Sequence, residues 1–129
     1  MRYMGIDYGT KRVGIALSTE EGKMAFPYDT FDNDTSLFAR IEALIEERQV
    51  GGIVVGKSVR LTGDDNAIQK KIDAFVGELT LHTGLSVQFE DEQYTTQESL
   101  RYQKRSQKTD SSAAAIILNS YLSRHTNAL

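Results

Sequence analysis

Four carboxylates stand where secondary-structure elements are expected to begin or end. Asp7 closes the first apolar run, and Asp110 opens the last helical segment. Asp91 and Glu92 follow a later apolar run. Because sites in an open α/β sheet collect at the carboxyl ends of its strands, these acids could meet at one edge. Carboxylate ligands suit Mg²⁺ or Mn²⁺, and two such ions about 3.5–4 Å apart would position a phosphodiester for in-line hydrolysis.

Each acid also has a purely structural interpretation. Asp7 could simply end a strand in water, although an acid between Gly-Ile and Tyr-Gly-Thr favours function. Asp110 alone would be a good helix N-cap, and its proximity to Lys108 and the other acids favours a functional role. Neighbouring residues of a strand point to opposite faces, so only one of Asp91 and Glu92 is expected in the site. The pattern does not choose between them.

A basic segment precedes Asp110 and is a candidate phosphate-binding surface. Residues 101–108 contain four basic residues and no acid, in a chain whose net charge is −3. These basic residues are Arg101, Lys104, Arg105 and Lys108. Phosphate binding is the functional interpretation, and a solvated loop is the alternative. Lys11 and Arg12, which follow the first strand, could extend the basic surface.

Hydrophobic periodicity predicts the elements that position these residues. The predicted strands cover 3–7, 11–17, 23–31, 52–56 and 85–89, and Pro27 places the third strand at an edge or a bulge. Apolar stripes predict helices over 37–45, over 68–79 and from Asp110 onward. Gly84 is suited to stop the second helix, and a capping box at 95–98 predicts a short additional helix.

The predicted order is β-β-β-α-β-α-β-α-α, which is an α/β fold. A meander followed by right-handed parallel crossovers gives a mixed five-stranded sheet with helices on both faces. The chain has 129 residues, no internal repeat and no linker. We therefore expect a single domain over residues 1–129.

Composition excludes several classes of function. The absence of cysteine excludes disulfide frameworks, Cys-based zinc sites and thiol nucleophiles. Two histidines are too few for a His-rich metal site. The net charge of −3 argues against a generic polycation that coats nucleic acid. Neither a signal-peptide region nor a run of about 20 apolar residues is present, so we expect a cytoplasmic protein without a membrane segment.

Four motifs follow one another along the chain. They are residues 5–16 (GIDYGTKRVGIA), 53–56 (IVVG), 91–96 (DEQYTT) and 108–114 (KTDSSAA). Together they resemble the YqgF/RuvX family, and the resemblance spans nearly the whole chain. It implies an RNase H-like fold and a Holliday-junction-resolvase-like, divalent-metal nuclease implicated in 5′-end maturation of pre-16S rRNA. It also implies that the metal acids are Asp7, Glu92 and Asp110.

The leading hypothesis is therefore a metal-dependent nuclease of structured nucleic acid. Asp7, Glu92 and Asp110 would be its catalytic metal ligands, Mg²⁺ or Mn²⁺ its cofactor, and an rRNA precursor its partner. The chain would act as a monomer or homodimer.

Other functions remain as hypotheses. One is a resolvase-like nuclease of branched DNA. Another is a non-catalytic RNA-binding module of ribosome assembly, which is suggested by Gln93 in place of the family's arginine and by a short segment between Thr96 and Asp110. An ATPase built on the Asp-x-Gly-Thr turn is disfavoured, because such enzymes enclose their nucleotide between two domains.

Overall fold

Five strands and three helices make up the part of the chain that the computed structural model describes, namely residues 1–57, 63–91 and 110–126. The strands are β1 (Arg2–Tyr8), β2 (Arg12–Ser18), β3 (Ala25–Asp32), β4 (Val50–Lys57) and β5 (Val87–Asp91). The helices are α1 (Leu37–Arg48), α2 (Gly63–Thr83) and α3 (Asp110–Thr126). The capping box at 95–98 lies outside the described residues, as does the helix predicted there.

The strands form one mixed sheet in the order β3-β2-β1-β4-β5. β1, β2 and β3 pair as an antiparallel meander, whereas β4 pairs in parallel with both β1 and β5. This confirms the mixed five-stranded sheet that the sequence predicts. The crossovers through α1 and α2 run in the same direction across the sheet, so right-handed connections place both helices on one face.

Alternation along the strands divides the core between the two faces of the sheet. Met4 and Ile6 of β1 are fully buried in the cluster that packs against α1 and α2. The intervening position, Gly5, contacts Leu118 of α3 on the other face. Since residues i and i+2 of a strand share a face, Asp7 lies on the face that α3 covers. The packing of β1 therefore decides which helix Asp7 can approach.

Pro27 and Gly84 have the structural roles that the sequence predicts. β3 is an edge strand, and its register shifts between the pairs Ile15–Asp29 and Ala16–Pro27, so Pro27 stands at an irregularity of an edge. Gly84 follows α2 with a φ of 69°, and its N–H donates to the carbonyl oxygen of Thr80 at 2.9 Å. This left-handed conformation is the usual way for glycine to end a helix.

None of the helices in the described ranges is long and apolar enough to cross a membrane.

Candidate active site

Asp7 lies near the carboxyl end of β1, partly buried, on the α3 face of the sheet. Its cross-strand partner in β2 is Gly14. Residues directly opposite each other in an antiparallel pair project to the same face, with their Cα atoms about 4.5–5.5 Å apart. Whatever rests on Gly14 is therefore a neighbour of Asp7.

The first turn of α3 rests on Gly14. A Cβ atom built on Gly14 would lie 2.8 Å from the backbone nitrogen of Ser111 and closer still to the carbonyl oxygen of Asp110. The helix backbone thus meets β2 with no side chain between them. Asp110, the first residue of α3, is consequently brought to the same end and the same face of the sheet as Asp7, although 103 positions separate the two acids in the sequence.

Arg12 contacts the carboxylate of Asp110. Its Nε donates to Oδ2 of Asp110 at 3.0 Å, and the two side chains are 66% and 37% exposed. Arg12 has the parity of Gly14 along β2, which accounts for its approach from the α3 face. Lys11 is exposed and precedes β2 by one residue. A cation predicted to bind phosphate is therefore paired here with an acid predicted to bind metal.

Asn33 stabilises the turn between β1 and β2 through two hydrogen bonds. The side-chain nitrogen of Asn33 donates to the carbonyl oxygen of Gly9, and its backbone N–H donates to the carbonyl oxygen of Lys11, both at 2.9 Å. A side chain at Gly9 would collide with the carbonyl oxygen of Arg12, so the turn requires glycine. Sequence reasoning missed Asn33, since no motif marks a residue that follows β3 and reaches a distant turn.

The other predicted site residues fall outside the described residues. They are Glu92, Arg101, Lys104, Arg105 and Lys108. Asp91 is the last residue of β5 and pairs with Lys57 of β4. Glu92 remains the acid that the family resemblance implies.

Asp7 and Asp110 carry the type of donor atom that a hard divalent cation prefers. Asp7 and Asp110 supply carboxylate oxygens, the ligands that Mg²⁺ and Mn²⁺ prefer. Within the described ranges, no three His, Asp or Glu side chains come together as a potential metal site. A cation held by Asp7 and Asp110 would complete its coordination with water, with substrate phosphate or with a further carboxylate.

Comparison with known families identifies the chain's relatives. A family model described as "RuvX: Holliday junction resolvase" matches residues 1–124. The chain belongs to the RuvX family. This confirms the resemblance that the four sequence motifs indicate.

Relatives in the RuvX family align along nearly their whole length. A protein of Maridesulfovibrio salexigens named "Putative pre-16S rRNA nuclease" is 33% identical, and the alignment covers 96% of this chain and 99% of that protein. A protein of the same name from Nitratidesulfovibrio vulgaris is 36% identical over 95% of this chain and 93% of its own.

Solved structures of resolvases share the fold. RuvC of Thermus thermophilus in complex with a Holliday junction superposes with a TM-score of 0.65 at 14% identity, covering 98% of this chain and 96% of that one. The fowlpox virus Holliday junction resolvase gives a TM-score of 0.56 at 11% identity, with coverages of 96% and 99%. These likenesses confirm the α/β, RNase H-like fold of this RuvX-family chain.

Glu90 is a buried acid of this RuvX-family chain that the sequence motifs do not single out. It is 1% exposed, and it accepts hydrogen bonds from Oγ of Ser120 at 2.7 Å and from Nη2 of Arg124 at 2.5 Å. Burial raises the pKa of the neighbouring Tyr121 hydroxyl, and Tyr3 and Glu90 add to the effect. Glu90 thus ties β5 to α3, and the spacing of Ser120 and Arg124 on one helix face is the signal that could have revealed it.

Proposed function

We propose that this RuvX-family chain is a divalent-metal-dependent nuclease that hydrolyses phosphodiester bonds in structured RNA and matures the 5′ end of pre-16S rRNA. The observation that carries the proposal is that Asp7 pairs with Gly14 and that the first turn of α3, which begins at Asp110, rests on the same glycine. Family membership and the names of the relatives support nuclease activity and this RNA.

Asp7, Asp110 and Glu92 would hold Mg²⁺ or Mn²⁺. A divalent cation bound by such acids lowers the pKa of a coordinated water and neutralises charge that develops on the phosphate. Asp7 is positioned by its ladder with β2, and Asp110 by the contact of α3 with Gly14. Both carboxylates are therefore held by rigid elements before substrate arrives, which lowers the cost of assembling the site.

The substrate would approach from the β1–β2 turn. Lys11 of this turn and Arg12 at the start of β2 are exposed, so they would contact phosphates of the bound strand. Arg101, Lys104, Arg105 and Lys108 precede Asp110 in the sequence and would extend the basic surface. Because the chain carries a net charge of −3, substrate binding depends on these local cations and should weaken as salt rises.

A second candidate substrate is branched DNA. The description of the matching family model, Holliday junction resolvase, favours this candidate. The catalytic acids and the cation would be the same for either nucleic acid, so the substrate must be distinguished by assay.

The test is a cleavage assay with Mn²⁺ on labelled pre-16S rRNA fragments and on four-way DNA junctions. We expect Asp7→Asn to lower the cleavage rate at least about 100-fold, since changes to residues that only orient metal ligands already cost about 10–100-fold. The matched control is Asp73→Asn, the same substitution at an exposed position of α2, where the carboxylate accepts a hydrogen bond from Gln69 at 2.9 Å. This control should cleave like the natural protein.

The outcomes separate the hypotheses. Full cleavage by the folded Asp7→Asn variant would reject the assigned site. Cleavage of the junction but not of the RNA would assign a resolvase. Tight binding of RNA by the natural protein, without cleavage of either substrate, would indicate the non-catalytic module of ribosome assembly. Circular dichroism and the urea midpoint of each variant show whether it is folded.

A further inference from the structure

The ion pair between Arg12 and Asp110 joins a proposed phosphate-binding cation to a proposed metal ligand. We propose that Arg12 is the counter-ion of Asp110 in the cation-free protein, and that a divalent cation displaces its guanidinium, which then binds a phosphate of the nucleic acid. This inference rests on the proposed function, because it needs a cation site at Asp7 and Asp110.

The contact is weak enough to be exchanged. Nε of Arg12 reaches a single carboxylate oxygen, Oδ2 of Asp110, at 3.0 Å. Both side chains are partly exposed, at 66% and 37%, and exposed ion pairs are weakened by solvent and salt. A divalent cation carries twice the charge of the guanidinium and is a better match for carboxylate oxygens. It should therefore displace Arg12 from the carboxylate of Asp110.

The same cation would also repel Arg12. Asp7 and the first turn of α3 both adjoin Gly14, and Arg12 contacts Asp110. A cation held by the two acids would therefore stand near the guanidinium, and like charges repel. The backbone of the turn is held by Asn33, which binds Gly9 and Lys11. Arg12 can therefore leave Asp110 by rotation of its own long side chain, without movement of the turn.

The consequence is coupling between two ligands. In the cation-free protein, Asp110 neutralises Arg12 and weakens its attraction for phosphate. Once a cation occupies the acids, the guanidinium is available, and the affinity for nucleic acid rises. By linkage, nucleic acid must raise the affinity for the cation by the same factor.

Calorimetric titration with Mn²⁺, without nucleic acid, tests the displacement. We expect Arg12→Gln to bind Mn²⁺ about two- to fivefold more tightly than the natural protein, the range set by the strength of an exposed ion pair. The matched control is Lys11→Gln, which removes one positive charge from the adjacent exposed position. Its Mn²⁺ affinity should change less, because Lys11 is not the residue that contacts Asp110 here.

Nuclear magnetic resonance of the natural protein provides a second readout. The Nε–H signal of Arg12, identified by its absence from Arg12→Gln, should move when Mg²⁺ is added. A short duplex RNA should move this signal again in the Mg²⁺-loaded protein, and the same RNA concentration should move it less in protein treated with EDTA.

Three results would overturn the inference. One is equal or weaker Mn²⁺ binding by Arg12→Gln relative to the natural protein. Another is an equal gain in Arg12→Gln and Lys11→Gln, which would reflect net charge alone. The third is an Arg12 signal that Mg²⁺ does not move. If instead the natural protein binds no Mn²⁺, or binds it equally well after Asp7→Asn, the proposed metal site itself fails, and the inference fails with it.

Discussion

Two glycines determine how closely α3 approaches the sheet. A Cβ on Gly5 would lie 2.7 Å from Cβ of Leu118 and 2.9 Å from the carbonyl oxygen of Ala114, and Gly14 is blocked in the same way by the first turn of the helix. Any larger residue at these positions would lift α3. At the scale of single residues, the site therefore depends on glycine at these two positions as well as on the acids.

Gly14→Ala should displace the start of α3 and, with it, Asp110. The added methyl group meets backbone atoms that cannot rotate away, and overpacking of this kind costs about 1–3 kcal/mol. We expect a loss of this size in the free energy of unfolding, measured with urea, together with slower cleavage of the pre-16S fragment.

Gly77→Ala is the control, and we expect it to change the free energy of unfolding in the opposite direction. Gly77 lies within α2, and a Cβ built there meets nothing within 4 Å. Alanine should stabilise this helix by about 0.5–1 kcal/mol and leave cleavage unchanged. If Gly14→Ala behaved like Gly77→Ala, the close contact of α3 with β2 would be contradicted.

At the scale of elements, α3 also completes the exposed edge of the sheet. Oδ1 of Asn119 accepts from the backbone N–H of Ala25 at 2.8 Å, and its side-chain nitrogen donates to the carbonyl oxygen of Ala25 at 3.1 Å. Asn119 thus bonds β3 as a neighbouring strand would. Pro27 offers no N–H on the same edge, so β3 is a poor template for pairing with another chain.

Asn119→Ala should loosen β3 at Ala25. Two hydrogen bonds to backbone groups are lost, and we expect a cost of about 1–2 kcal/mol in unfolding free energy. Hydrogen exchange of the Ala25 amide should become faster in this variant. Ser123→Ala, at an exposed position of the same helix, should change neither quantity. Unchanged exchange at Ala25 after Asn119→Ala would show that the edge is held by other groups.

At the scale of the whole molecule, α3 connects the candidate site to the far edge of the sheet. Its first residue lies over β2, and Arg124, about 21 Å further along the helix axis, binds Glu90 of β5. Glu90 is almost completely buried, whereas Arg124 is 46% exposed. The pair therefore holds a buried carboxylate at the strand that leads to Asp91 and Glu92.

Arg124→Ala should destabilise the fold more than the double variant Glu90→Gln/Arg124→Ala. Removal of one partner leaves an uncompensated buried charge, which costs about 3–5 kcal/mol for a fully buried pair. We expect about 1–3 kcal/mol here, because water reaches the exposed Arg124. The double variant buries a neutral amide and should recover part of the loss in urea unfolding. A double variant less stable than Arg124→Ala would contradict this explanation.

Much of the architecture was predictable because its signals are local. Periods of two and of about 3.6 residues mark strands and helices, Pro27 marks the edge of the sheet, and Gly84 marks the end of α2. The predicted element boundaries differ from the observed ones by only a few residues. For example, β3 begins at Ala25 rather than at residue 23. The four ordered motifs also indicated the family.

The sequence by itself determined the order of the elements, the RuvX family and the acids that are candidates for a metal site. Only the tertiary structure decided that Arg12 pairs with Asp110, that Asn33 supports the β1–β2 turn and that Glu90 is buried. The physical reason is distance along the chain. The partners in the first pair are 98 residues apart, and no local pattern encodes such a contact, because it arises from the way in which α3 packs on the glycines of β1 and β2.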